Sequence, residues 1–203
     1  MRDDVLVGST SGDGNTPLDE NETEGLLPTH LRTRAELNQW EATNIALALR
    51  WISERSLDVL DLTTLQALHR QMFGQTWEWA GSFRRSEKNI SPYSWPEVPR
   101  LVRDLLANTE LQRAALGDDD DALDKLAARF HHELVRVHPW PNGNGRHGRL
   151  ATDLLLVRWG RPAFTWGADQ GSADADGTRR QYIDALRSAD NGDWEPLYRF
   201  VRS

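Results

Sequence analysis

The sequence predicts an all-α helical bundle with one small β-hairpin. Apolar residues recur at helical spacing through most of the chain, and nowhere do strands alternate with helices as a parallel sheet requires. The helical period breaks at one internal stretch, Trp77–Pro96, where Phe83-Arg84-Arg85 and Lys88-Asn89-Ile90 sit among Ser91, Pro92 and Pro96. That stretch predicts a hairpin or an ordered loop.

Met1–Asn15 is rich in Gly, Ser and Asp and predicts a flexible lead-in. Thr16-Pro17-Leu18-Asp19 has the residues of a helix start, and a short acidic helix to Glu24 follows, closed by Gly25. Thr33-Arg34-Ala35-Glu36 is a capping box, after which Leu37, Trp40, Leu47, Ala48, Trp51 and Ile52 predict an apolar stripe on a long helix. Further helices are expected over Asp61–Phe73, from Val98 to near Gly117, and from the Asp118–Asp121 run to Val137, where Pro139 stops the helix. Arg146–Trp159, with Leu150, Leu154 and Leu155 inward, Thr178–Ala189 and Trp194–Val201 complete the set. This divides the chain into a lead (1–15), N-terminal helices (16–56), a core (57–160) and C-terminal helices packed on it (161–203).

With 203 residues, one compact domain is expected. The absence of Cys excludes disulfide scaffolds, thiol nucleophiles and Cys-ligated zinc, so any metal sits on O or N ligands. A net charge of −7 disfavours nucleic acid as the main partner. No apolar run approaches the ~18 residues of a spanning helix, which predicts no membrane partner and a cytoplasmic location. Most of the nine Trp are expected to anchor helix packing, and Trp95 suits a dimer or target contact.

The chemistry is concentrated in His138-Pro139-Trp140-Pro141-Asn142-Gly143-Asn144-Gly145-Arg146-His147-Gly148-Arg149, lying between two helices. A loop with two glycines that feeds a helix N-terminus aims several backbone N–H groups at one point, where the helix dipole favours an anion. Arg146 and Arg149, three apart, project from one helix face and can clamp phosphates. His138 is a titratable group beside this cradle, suited to taking a proton from a hydroxyl near neutral pH. Gly143–Gly148 formally satisfies G-x-G-x-x-G, but the segment before it has helical rather than strand period. His132-Glu133 begins like a zincin helix, yet Arg136 stands where the second His is required.

The twelve-residue string resembles the active-site motif of the Fic family, H-P-F-x-[D/E]-G-N-G-R-x-x-R. The similarity extends through Trp77-Glu78-Trp79-Ala80-Gly81-Ser82-Phe83-Arg84 and Arg180-Gln181-Tyr182-Ile183-Asp184-Ala185-Leu186. The resemblance implies a Fic-type helical bundle that transfers AMP from ATP, with Mg²⁺, to a Ser, Thr or Tyr hydroxyl of a target protein. By it, His138 is the general base, Gly143, Asn144 and Gly145 form the anion hole, Arg146 pairs with the γ-phosphate, and Arg149 contacts phosphates or braces the loop. Lys88, Asn89 and Ile90 correspond to a flap that pairs with the target by strand addition. Two positions depart from the family pattern. Trp140 replaces Phe, and Asn142 replaces the acid that holds Mg²⁺, putting metal affinity and donor choice in doubt.

Many Fic proteins carry an inhibitory helix, [S/T]-x-x-x-E-[G/N], whose Glu pairs with an arginine in the second half of the motif. Thr16-Pro17-Leu18-Asp19-Glu20-Asn21 satisfies it, and Glu24-Gly25 follows one turn later, so Glu20 or Glu24 is expected to reach Arg146, with Glu24 preferred. The expectation is an autoinhibited, toxin-like or regulatory adenylyltransferase, with a homo-oligomer compatible. A catalytically weak nucleotide-binding or interaction module, a de-AMPylating enzyme and a Fic enzyme moving another phosphate group remain alternatives.

Overall fold

The structure is a computed structural model and describes residues 20–168 and 175–203. Its helices are α1 (Glu20–Glu24), α2 (Arg34–Ser53), α3 (Leu62–Phe73), α4 (Val98–Leu116), α5 (Asp120–Val137), α6 (Asn144–Arg158), α7 (Ala175–Asp190) and α8 (Glu195–Val201), with a short 3-10 turn at Trp95–Glu97. The lead-in at 1–15 and the expected cap Thr16 lie outside the described residues.

Local chemistry sets most helix starts. Thr33 Oγ1 accepts from Glu36 N while the Glu36 carboxylate takes the Thr33 N–H, the predicted capping box. Asp61 caps α3 and Asp119 caps α5, each accepting a backbone N–H three residues on. Helix α5 begins within the Asp run and ends where Pro139 disfavours right-handed backbone at His138.

Two apolar cores form. The larger packs α2, α3, α4, α5 and α6 around Leu65, Leu68, Met72, Phe73, Val102, Phe130, Leu134, Trp140 and Leu155. The smaller joins α7 and α8 to the back of α5 and α6 through Tyr182, Ala185, Leu197 and Phe200. Both converge on the α5–α6 pair, so the turn between these helices lies where the molecule is most firmly held.

One expectation is corrected and another narrowed. The stripe on α2 is not continuously apolar: its buried line is Leu37, Glu41, Asn44 and Ala48, while Leu47 is half exposed. The acid and amide are buried because each finds a partner, as the site shows. Of the hairpin or ordered loop expected over Trp77–Pro96, the loop forms: among the described residues there is no strand, only an isolated antiparallel bridge between Leu26 and Trp77. The polar groups of that loop are spent elsewhere.

Candidate active site

Helix α5 ends with several carbonyls that have no partner in the helix. The 82–94 loop takes them. Arg84 Nε donates to His138 O at 2.8 Å and Arg84 N to Pro139 O at 2.8 Å, while Ser91 Oγ lies 3.0 Å from Arg136 O and 3.2 Å from Val137 O. Arg84 is 1% exposed, and its other nitrogens donate to Ser86 O and Tyr93 O. The loop therefore closes a helix end, and its hydrogen bonds are unavailable for a hairpin.

His138 sits at this helix end in left-handed backbone, φ 55°. Such a conformation in a non-glycine residue persists only when its surroundings over-determine it. Here Pro139, Arg84 and the bond from His138 N to Leu134 O do so. The ring is buried, with Nδ1 3.3 Å from Val135 O. A carbonyl only accepts, so Nδ1 carries the proton and the lone pair is on Nε2. Burial, helped by the Arg84 and Lys88 cations and opposed by the Val135 bond, lowers its pKa to about 3. The imidazole is neutral at pH 7, so its Nε2 lone pair is an acceptor, but burial makes it a weaker base than the free imidazole the sequence suggests.

The turn to α6 is braced from three sides. Asn144 is buried, and its amide closes a ring with Trp140: Trp140 N donates to Oδ1 at 2.9 Å and Nδ2 to Trp140 O at 2.8 Å. Gly143 adopts φ 81°, and a Cβ there would lie 2.6 Å from Phe73 Cζ, so no larger residue fits. His69, fully buried, accepts from Gly81 N through Nδ1 at 2.9 Å, which leaves Nε2–H to donate to Asn142 O at 3.1 Å. Burial holds its pKa well below 6.5.

Trp140 differs from an enlarged Phe. It is fully buried, stacks on His69 at 4.5 Å and on Phe83 at 5.2 Å, and its Nε1 donates to His147 Nδ1 at 3.1 Å. His147 passes the chain on to Leu65 O at 3.1 Å. The indole thus has an acceptor for its N–H, which a Phe would not need.

Past this turn, the first-turn N–H groups of Asn144, Gly145 and Arg146 precede the helix's own bonding ladder, the arrangement that favours an anion. His138 and Gly145 line one cavity of about 600 Å³, walled by Asn89, Ile90, Ser91 and Pro92 of the loop, His132, Val135 and Arg136 of α5, and Tyr182, Ile183 and Leu186 of α7. Base, helix start and loop meet there. Tyr182 Oη is 2.9 Å from His131 Nε2, and the Arg149 guanidinium lies 5.2 Å from the Tyr182 ring centroid.

The remaining predicted residues divide. Asn89 and Ile90 face the cavity, but Lys88 turns away, 5% exposed, into an ion pair with the buried Glu22 of α1. Glu22 also accepts from Ser86 Oγ at 2.7 Å, and its carbonyl accepts from Trp79 Nε1 at 2.9 Å. Glu24 is exposed, and the Glu20 side chain lies outside the described residues. Arg146 is paired with a different acid, its Nη1 donating to Glu41 Oε2 at 2.7 Å. Asn142 Oδ1 accepts from Gly143 N at 2.5 Å, leaving one lone pair. Among the described residues no group of three His, Asp or Glu could hold a metal ion. The donors therefore fit a cation carried largely by phosphates and touched by Asn142, rather than an all-protein cage.

Sequence reasoning missed Arg84, His69, Glu41 and Glu22 as parts of this site. Their partners are backbone groups or charges far away in sequence, and no local pattern marks them.

Residues 59–156 match the Fic/DOC family. Over 166 residues, 79% of its length, the chain is 28% identical to the protein adenylyltransferase Fic of Drosophila melanogaster, of which it covers 32%. It thus spans about a third of the length of such relatives. Among solved structures, the N-terminal Fic domain of a Bartonella quintana effector with bound ADP superposes with TM-score 0.67 at 18% identity, covering 86% of each chain. BepC of Bartonella tribocorum with bound AMPPNP gives 0.69 at 16% identity, covering all of this chain and 96% of the other.

Proposed function

Because residues 59–156 form a Fic/DOC-family domain, we propose that the protein transfers AMP from ATP to a hydroxyl side chain of a target protein. The observation that carries this is the shared cavity: a neutral imidazole and the N-terminal turn of α6 open onto the same space, large enough for a nucleotide. The adenylyltransferase name of the fly relative and the nucleotides in the two Bartonella structures agree with it.

In this reading His138 Nε2 takes the proton of a Ser, Thr or Tyr hydroxyl whose oxygen attacks the α-phosphorus of ATP. The bond from that phosphorus to the bridging oxygen breaks, and pyrophosphate leaves. The backbone N–H groups of Asn144 and Gly145 hold phosphate oxygens and Gly143, its own N–H spent on Asn142 Oδ1, shapes the turn that presents them, while Arg149, and Arg146 through its nitrogens not engaged by Glu41, add positive charge. The Asn144 side chain serves the turn and only its backbone serves the anion. Such chemistry depends on positioning and charge stabilisation, which a rigid turn supplies. Mg²⁺, held by Asn142 Oδ1, would neutralise phosphate charge when bound. Asn89 and Ile90 border the cavity where a target segment would dock.

An N-terminal brake belongs to this reading. Its support is that α1 docks on the 82–94 loop through Glu22. If Glu20 or Glu24 restrains the site, replacing it with Gly raises transfer. A second reading, a nucleotide-binding module with little turnover, is favoured by the neutral Asn142. Intact-mass spectrometry of the protein and of proteins in an extract, after incubation with ATP and Mg²⁺, separates the two. An AMP adduct that disappears with His138→Ala supports transfer, and ATP binding without any adduct supports the module.

A further inference from the structure

Glu41 is 3% exposed at the middle of α2, outside the family-matched residues. A buried carboxylate is costly unless both oxygens are engaged. Here Oε1 accepts from Trp77 Nε1 at 2.7 Å and Oε2 from Arg146 Nη1 at 2.7 Å, across 105 residues of sequence. One turn on, Asn44 Nδ2 donates to Thr76 Oγ1 at 2.9 Å, so α2 also grips the backbone segment that carries Trp77.

Arg146 is held on a second side. Its guanidinium lies 4.9 Å from the centroid of Phe73, the ring against which Gly143 is packed. Phe73 is thus a floor under both the start of α6 and its first arginine, and Glu41 is the stop. One of the five guanidinium N–H donors is used by this contact, which leaves the group able to donate to a ligand. Neither Glu41 nor Arg146 lines the cavity, which α6 reaches through Gly145 beside that arginine, and the other oxygen of Glu41 is committed to Trp77. The pair therefore anchors the first turn of α6 from beside the cavity, without occupying it. Arg149 contrasts: among the described residues it has no carboxylate partner and rests on Tyr182.

We infer that Glu41 is a positioning residue for the phosphate cradle, fixing Arg146 and the first turn of α6 and so making nucleotide affinity depend on α2. This rests on α6 being the nucleotide's phosphate site. It separates Glu41 from an inhibitory acid, because a brake competes with phosphate for the arginine whereas a brace improves the arginine's aim.

The test compares the full-length wild type with Glu41→Gln, which still accepts from Trp77 but carries no charge, and with Glu41→Asp, which keeps the charge but withdraws it from Arg146. ATP affinity is measured by calorimetry with Mg²⁺, transfer by KM and kcat, and folding by thermal melting. Either variant is expected to raise the ATP Kd and KM about tenfold, as for a lost charged hydrogen bond, with kcat within about twofold. Arg146→Gln is expected to cost as much, and the Glu41→Gln/Arg146→Gln double variant no more than either alone. Tighter ATP binding or faster transfer in Glu41→Gln would make Glu41 a brake and overturn the inference. Unchanged affinity, or additive losses in the double variant, would overturn it too. A wild type that binds ATP without transferring it defeats the proposed activity while the affinity comparison still decides on Glu41; a wild type that binds no ATP defeats both.

Discussion

Arg84 Nε donates to the backbone carbonyl of His138 at 2.8 Å, from a guanidinium that is almost wholly enclosed. The loop that borders the cavity and the residue proposed as base are therefore one mechanical unit. Burial lowers the Arg84 pKa somewhat, but the charge is matched by carbonyl oxygens and by Glu87 at 3.7 Å.

Arg84→Ala should strand the carbonyls of Ser86, Tyr93 and His138 together. A loss of at least about 3 kcal/mol is expected from several charge-assisted hydrogen bonds, read by urea unfolding. Arg84→Lys should restore little, because an ammonium cannot span that fork. Equal stability of the lysine variant and wild type would contradict this account of the loop.

The Glu22–Lys88 pair joins α1 to the same loop, with both side chains buried. Glu22→Ala takes the carboxylate away from a buried ammonium and is expected to cost about 3 kcal/mol, or to free the loop locally. Hydrogen exchange should then quicken at Ser86–Ile90 more than in α5. Lys88→Met in that background should recover part of the loss.

Trp140→Phe tests the departure from the family motif. The smaller ring keeps the stacking on His69 and Phe83 but leaves His147 Nδ1 without its donor. A loss of about 1–3 kcal/mol in thermal or urea unfolding is expected, and His147→Leu in the same background should lower the penalty. A Phe variant as stable as wild type would show that the indole N–H contributes nothing.

Stability should fall as the solution is acidified. Burial lowers His131 and His138 to about 3, His147 to about 4, and His69 as well. The unfolded chain binds these protons near 6.5, so between there and about 4 unfolding takes up protons. The histidine contribution is complete above pH 6.5 and is lost as pH falls toward the folded values. Asp153, raised to about 6 by burial, opposes this: its contribution is present at low pH and lost as pH rises through 6. The melting temperature should decline across the acid window, and less steeply in His147→Gln. A level profile would contradict the neutral, buried assignment.

The helices were legible because their signals are local: the Thr33–Glu36 box, the Asp61 and Asp119 caps, and the stop at Pro139 lie in short stretches of chain. The α5–α6 turn was legible as a site because His138, two glycines and two arginines fall within twelve residues. What stayed hidden depends on distance. The 82–94 segment has strand-like composition, yet its bonds go to the end of α5, 54 residues on for Arg84 and His138. Glu41 and Asn44 interrupt an apolar stripe because Trp77, Arg146 and Thr76 meet them. Among the acids of α1, pattern pointed to Glu20 and Glu24 and not to Glu22, whose side chain faces Lys88 and is buried against it.

In the proposed reaction His138 governs transfer of the adenylyl group of ATP, which carries the α-phosphorus. The most direct measurement incubates wild type and His138→Ala with an extract and Mg²⁺, using ATP labelled in parallel at the α- or the γ-phosphate, and follows label into protein. Above the extract's own background, α-label is expected on protein with wild type and not with His138→Ala, and γ-label with neither. Protein labelled from the γ-phosphate by wild type but not the variant, or α-label that persists in His138→Ala, would contradict the proposed reaction.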